Sequence, residues 1–293
     1  MTVALACPQC RKQLPSGLTC ACGFAARCRD GIVDLMTPEQ EEHHSDFSKA
    51  YERIRAAEGW GGDDLDLPRF ARRNKHIWAI RKRTFRALER LVRSRFPEGG
   101  AALDVGAGNC WVAGHLSGWG FSVVALDVNP GNSDGLAIGS YHLERGCRFE
   151  RIRAPMESLP FPRQSFDLVV AGASFHYSRD AVGTLLEWGR VLRSGGVAII
   201  FDSPWYERAV DGERTVSERV ESYRRSYDLE ERLARRSSFL DRNSFDTTLK
   251  TSEFSLRRIP VWPGPRRSLE GLRARLIGHR VATFPLLVLS RPS

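Results

Sequence analysis

The hydrophobic pattern changes character along the chain. From Leu67 to Phe96 the apolar residues Phe70, Ile77, Trp78, Phe85, Leu88 and Val92 recur at helical spacing, with basic residues mostly on the other faces. This predicts one long amphipathic helix, or two. From Ala101 onward, short apolar runs alternate with helical stretches: "AALDV", "SVVALDV", "FERIRA", "FDLVVAGA" and "GGVAIIFD" read as strands, "WVAGHLSGW" and "AVGTLLEWGRVL" as helices. Strands that are apolar on both faces and separated by helices imply an α/β fold with a doubly wound, mostly parallel sheet. Ligands in such sheets bind outside the carboxyl ends of the strands. Residues 205–248 read as charged helix and loop, and "FSLRRIPVWP" and "FPLLVLS" as late strands, the last one antiparallel at the sheet edge. Residues 39–68 are acidic and polar, with a short helix expected around Phe47 to Ala57 before "EGWGGDD" breaks it. The chain thus divides into a small Cys-rich module (1–36), a helical lid or linker (37–98) and a main domain (99–293) whose core motifs span 101–203.

Composition narrows the function. At 293 residues the chain can bury one large core with a small appendage. It has neither an uninterrupted apolar run of membrane-spanning length nor a signal-like start, so no membrane partner and a cytoplasmic location are expected. The net charge of +9 invites nucleic acid, yet the bases are nearly all Arg and sit on two flanks. Residues 69–95 sum to +10 and 257–293 to +7, while 101–200 sum to −1. Whatever binds the flanks need not be what is chemically changed.

The candidate chemistry begins at "LDVGAGNCW", Leu103 to Trp111. A dinucleotide fingerprint needs a third glycine for close helix packing and access of the pyrophosphate. Trp111 stands there instead. Asp104, two residues before Gly106, would repel a pyrophosphate and attract the cationic amino group of a methionine moiety, which favours S-adenosylmethionine over a nicotinamide cofactor. Asp127 ends the second strand twenty-one residues after Gly106, the separation at which a carboxylate takes ribose hydroxyls.

Together with "APMESLPF", "FDLVVAGASFHY" and "VLRSGGVAIIFD", this order resembles the Rossmann-like class I S-adenosylmethionine-dependent methyltransferases, with a type 11-like core over Ala101 to Ser203. The resemblance implies that Asp104, Gly106, Ala107, Gly108 and Asn109 line the methionine part and Asp127 holds the ribose. Val128, Met156 and Glu157 would then lie near the adenine, with Ala173 closing the pocket. The chain departs from relatives at Pro155, where many carry an acidic residue for the adenine amino group, and at "NCW", which replaces "GTG".

Cys7, Cys10, Cys20 and Cys22 offer four thiolates in two knuckles, a set suited to tetrahedral Zn2+. The segment is similar to the zinc ribbons that precede some methyltransferases, including bacterial ribosomal-RNA guanine methyltransferases. Methyl transfer from a sulfonium is an in-line displacement that mainly needs positioning. If the acceptor must lose a proton, His176 and Tyr177 in "ASFHYS" are the candidates, with Asp202 and Tyr206 similarly placed. Trp60, Phe70, Trp78, Trp205 and Trp262 are candidate substrate-pocket aromatics. The leading expectation is an enzyme methylating oxygen, nitrogen or carbon of a small molecule. The alternatives are a ribosomal-RNA base methyltransferase using the ribbon and the basic helix, or a non-catalytic module that docks a partner. The sequence leaves the oligomeric state open.

Overall fold

A computed structural model describes residues 3–58, 75–228, 230–235, 238–276 and 278–291. In chain order the elements are β1 (Arg27–Arg29), β2 (Ile32–Asp34), α1 (Pro38–Ala57), α2 (Lys75–Arg95), β3 (Gly100–Val105), α3 (Trp111–Gly118), β4 (Phe121–Asp127), α4 (Gly139–Glu144) and β5 (Phe149–Arg153). They continue with β6 (Phe166–Gly172), α5 (Ala181–Val191), β7 (Leu192–Phe201), β8 (Trp205–Tyr206), α6 (Ala209–Tyr227), α7 (Glu231–Ala234) and β9 (Leu240–Asp241). The last are α8 (Arg242–Lys250), β10 (Ser255–Ile259), α9 (Pro265–Leu276) and β11 (Leu286–Ser290).

Nine strands form one sheet in the order β1-β2-β5-β4-β3-β6-β7-β11-β10. The run from β2 to β7 is parallel, and β1, β11 and β10 are antiparallel to their neighbours. The chain winds outward from β3 in one direction through β4 and β5, then returns to the other side with β6 and β7. The strand order therefore reverses between β3 and β6, where a crevice opens at the carboxyl ends. Alternation along each strand feeds two apolar layers. Leu103, Val105, Val169 and Ala171 pack with Phe161, Phe175, Leu185 and Trp188 on one face. Ala102, Leu168, Val170 and Ile199 pack on the other with Phe85, Leu88 and Val92 of α2 and Val112, Ala113 and Leu116 of α3.

Three features differ from the sequence expectation. The final strand is not the edge: β11 lies between β7 and β10. Its Leu286 to Leu289 are fully covered, whereas β10 exposes Arg257 and Arg258, so polarity decides which strand meets solvent. The N-terminal segment does not stand apart, because β2 extends the sheet against β5 and Leu5, Leu14 and Leu35 join the main core. Finally, α1 is much longer than the short helix expected. Thr37 accepts from the Gln40 amide while the Gln40 side chain accepts from the Thr37 amide, and Pro38 opens the helix. The capping box in "TPEQ" thus starts the helix ahead of its acidic stretch.

Candidate functional site

The loop after β3 folds back on the neighbouring strand: the amides of Gly106 and Ala107 both donate to the Leu126 carbonyl, at 2.8 and 3.0 Å. Gly106 and Cys110 adopt left-handed backbone, with φ of 67° and 62°. The Gly108 amide then donates to Asp127 Oδ2 and the Asn129 amide to Asp127 Oδ1, each at 2.8 Å. The carboxylate at the end of β4 is thereby fastened to the glycine loop. Burial pushes Asp127 up to about 6, with the Asn129 and Gly108 amides opposing the shift.

A cavity of about 1020 Å³, its open mouth included, sits at this crevice. It is lined by Gly106, Ala107, Gly108, Asn109, Asp127 and Val128, with Met156, Ala173 and Ser174. Phe47, Tyr51 and Arg55 of α1 and Arg81 of α2 also line it, as do Asp134, Tyr177 and Asp202. The rings of Phe47, Tyr51 and Tyr177 lie 5.7 to 5.9 Å apart by centroid, so α1 seats directly on the turn after β6. Tyr51 donates to Asp134 Oδ2 at 3.1 Å, and Arg55 reaches the same oxygen at 3.2 Å. Thr84 of α2 donates to Asp202 Oδ1 at 2.5 Å.

Four sequence-derived candidates stand off this cavity. Asp104 lies behind the glycine loop on the α3 face, 1% exposed, with Oδ2 lacking a hydrogen-bond partner among the described residues. Burial raises its carboxyl to about 7, so the expected direct attraction for an ammonium is replaced by a covered group that titrates near neutrality. Glu157 turns toward the loop after β6, where Oε1 accepts from the Arg179 amide at 2.9 Å. His176 is buried with Nδ1 at 3.2 Å from Ser203 Oγ, and burial lowers it to about 3, which leaves it a neutral packing residue. Tyr206 bonds to Thr215 instead of facing the cavity.

Asn109 and Trp111 both line the space. Asn109 Oδ1 accepts from the Trp111 amide at 3.2 Å, and the Trp111 ring lies 4.3 Å from Phe85 and 5.7 Å from Trp78. The residue in the place of a third glycine thus joins the loop to the basic helix. Trp205 and Trp262 are not on the cavity wall, and Trp60 and Phe70 lie outside the described residues. Sequence reasoning missed Phe47, Tyr51, Arg55, Arg81 and Asp134, which on sequence alone belong to ordinary charged helices and a turn. Cys110 is fully buried and burial holds its thiol well above the usual range, consistent with a small residue at a tight turn.

A second grouping lies at the N-terminus. The sulfurs of Cys7, Cys10, Cys20 and Cys22 all fall within 4.8 Å of one another, with Cys7–Cys22 at 3.6 Å and Cys10–Cys20 at 3.5 Å. A tetrahedron with Zn–S bonds of about 2.3 Å has edges of about 3.8 Å, so the quartet has the right size for one ion.

Residues 103–200 match the methyltransferase domain family. The sarcosine/dimethylglycine N-methyltransferase of Halorhodospira halochloris is 32% identical over 182 residues, covering 61% of this chain and 62% of that protein. The dimethylglycine N-methyltransferase of Parasynechococcus marenigrum is 27% identical over 161 residues, 54% of each. This chain therefore spans less than two thirds of the length of these curated relatives. The crystal structure of 1,6-didemethyltoxoflavin-N1-methyltransferase from Burkholderia thailandensis, holding 1,6-didemethyltoxoflavin and S-adenosylhomocysteine, shares the fold with a TM-score of 0.53 at 13% identity, covering 88% of this chain and 92% of that one.

Proposed function

We propose, on the premise that residues 103–200 form a methyltransferase domain, that the protein transfers the methyl group of S-adenosylmethionine to a small molecule held beneath α1. The observation that carries this reading is that the glycine loop, Asp127 and the aromatic face of α1 all border one cavity. The chain's residues fit the cofactor: Gly106 to Asn109 would accommodate the methionine part, Asp127 the ribose, and Val128 and Met156 the adenine. The cofactor supplies an electrophilic methyl group.

The protein's own contribution is positioning and the exclusion of water. Phe47, Tyr51 and Tyr177 wall off the acceptor space, and Arg55, Arg81, Asp134 and Asp202 give it both signs of charge. Asp202 takes the place of His176 as the proton acceptor. Burial raises its carboxyl, and with Thr84 donating to Oδ1, Oδ2 is the atom to receive a proton from the acceptor. The basic helix α2 serves this cavity through Arg81 and the packing of Phe85 on Trp111, which favours a lid over an RNA-tracking surface.

The four cysteines form a structural Zn2+ site in this reading, closing two turns too small to bury a core of their own. Titration calorimetry with S-adenosylhomocysteine, followed by label transfer to glycine, sarcosine and dimethylglycine and then to wider amine, hydroxyl and carbon acceptors, tests the proposal. Absence of binding heat would overturn it, as would label appearing in ribosomal RNA alone.

A further inference from the structure

Helix α1 meets the loop after β4 through Tyr51 and Arg55 at Asp134 and, beside them, through the carboxylate of Glu52. Glu52 Oε1 accepts from Asn129 Nδ2 at 2.7 Å and from the Asp134 amide at 3.1 Å, while Oε2 accepts from the Ser133 amide at 3.0 Å. The loop is shaped around it: a Cβ on Gly131 would lie 2.4 Å from Glu52 Cδ. Only a residue without a side chain leaves the carboxylate room to reach these donors. This loop begins directly after Asp127, whose Oδ1 takes the Asn129 amide. Asn129 therefore bonds Asp127 through its backbone and Glu52 through its side chain.

Tyr51 and Arg55 flank Glu52 on the same helix and line the cavity. We infer that Glu52 is a positioning residue that couples the two halves of the site: cofactor binding at Asp127 steadies residues 128–134, and Glu52 transmits that order to α1 and its acceptor wall. The inference rests on the methyltransferase reading. The physical basis is that three donors converge on one ionised acceptor, an arrangement stronger than neutral hydrogen bonds and sensitive to the loop's geometry. Ordering by a first ligand that lessens what the second must order is positive coupling between sites.

The test is hydrogen–deuterium exchange over residues 38–57, with and without S-adenosylhomocysteine, alongside calorimetry. Wild-type protein should show slower exchange in α1 when the ligand binds. Glu52→Ala should bind it about tenfold more weakly and lose the ligand-induced protection. Glu52→Gln, which keeps one acceptor oxygen, should fall between them. Gly131→Ala, which displaces the carboxylate without removing it, should behave like Glu52→Ala and serves if that variant does not fold. Equal affinity and equal α1 protection in the wild type and in either disruptive variant would overturn the inference while leaving the cofactor reading intact. No binding to the wild type would remove both.

Discussion

Gly106 lies so close to Ser174 that a Cβ on the glycine would stand 2.3 Å from the serine Cβ. Ser174 Oγ in turn donates to the Val105 carbonyl at 2.6 Å, so the turn after β6 is locked against the turn after β3. These are the two strands between which the sheet changes direction, and the pair sets the width of the crevice there.

Gly106→Ala should therefore cost about 2 to 4 kcal/mol, combining a left-handed φ of 67° with the overlap. Adding Ser174→Gly should recover part of the loss, since it removes the overlap but not the backbone strain. Thermal unfolding of the single and double variants reads this directly. An unchanged melting temperature in Gly106→Ala would refute the packing described.

Asp127→Asn keeps the shape of the side chain but turns one acceptor into a donor facing the Gly108 or Asn129 amide. It also weakens the acceptor offered to a ribose. Hydrogen bonds to a charged group contribute roughly 1.5 to 3 kcal/mol, so S-adenosylhomocysteine affinity should fall on the order of 10- to 100-fold. Calorimetry that found the affinity unaltered would detach Asp127 from the cofactor.

Asp104 gives a pH signature. Its folded pKa of about 7 lies above the unfolded value, so the folded state holds a proton that the unfolded state has released. The stability it contributes is present below about pH 4 and is lost as pH rises toward 7. Asp104→Asn does not titrate. Its melting temperature relative to wild type should rise between pH 5 and pH 8 in the absence of ligand, and a constant difference would mean that Asp104 is already ionised when folded.

The strand pattern was legible because buried parallel strands write continuous apolar runs, and the loops after β3 and β4 because glycine and terminal carboxylates are local requirements. The part of the cavity lined by α1 was not. Tyr51 and Arg55 fall within a polar, charged stretch, and only the seating of α1 on the loops after β4 and β6 brings them to the cavity. Asp104 and His176 failed in the opposite sense: each is polar beside a motif, yet packing covers it. Glu157 had a closer use in holding the Arg179 amide. The order of β10 and β11 was hidden because both read as strands, and only the exposed arginines of β10 mark it as the edge.

His176 has the reverse pH behaviour. Burial, together with the nearby Arg219, Arg55 and Arg81, holds it at about 3, so its contribution to stability is present above about pH 6.5 and lost as pH falls toward 3. Its imidazole carbon-bound proton resonances, assigned by comparison with His176→Gln, should stay flat between pH 5 and 8. A midpoint near 6.5 would put the ring in contact with water and restore it as a candidate base.

Metal analysis of the intact protein decides the cysteine site. One Zn2+ per chain is expected, with ligands Cys7, Cys10, Cys20 and Cys22. Because Cys7 and Cys20 are buried with Leu5, Leu14 and Leu35 in the main core, the ion would hold more than its own two turns. The Ala6 amide donates to the Pro160 carbonyl, and Arg11 reaches the Leu159 carbonyl at 3.2 Å and Glu187 at 3.1 Å. Leu159 and Pro160 follow the Met156 turn that borders the cavity. Chelation should therefore lower the melting temperature and also weaken S-adenosylhomocysteine binding, with both restored by added Zn2+. Cys20→Ser should reproduce the loss without responding to metal. A chain that carries no zinc, or one whose stability is indifferent to chelator, would leave the four thiols as packing residues only.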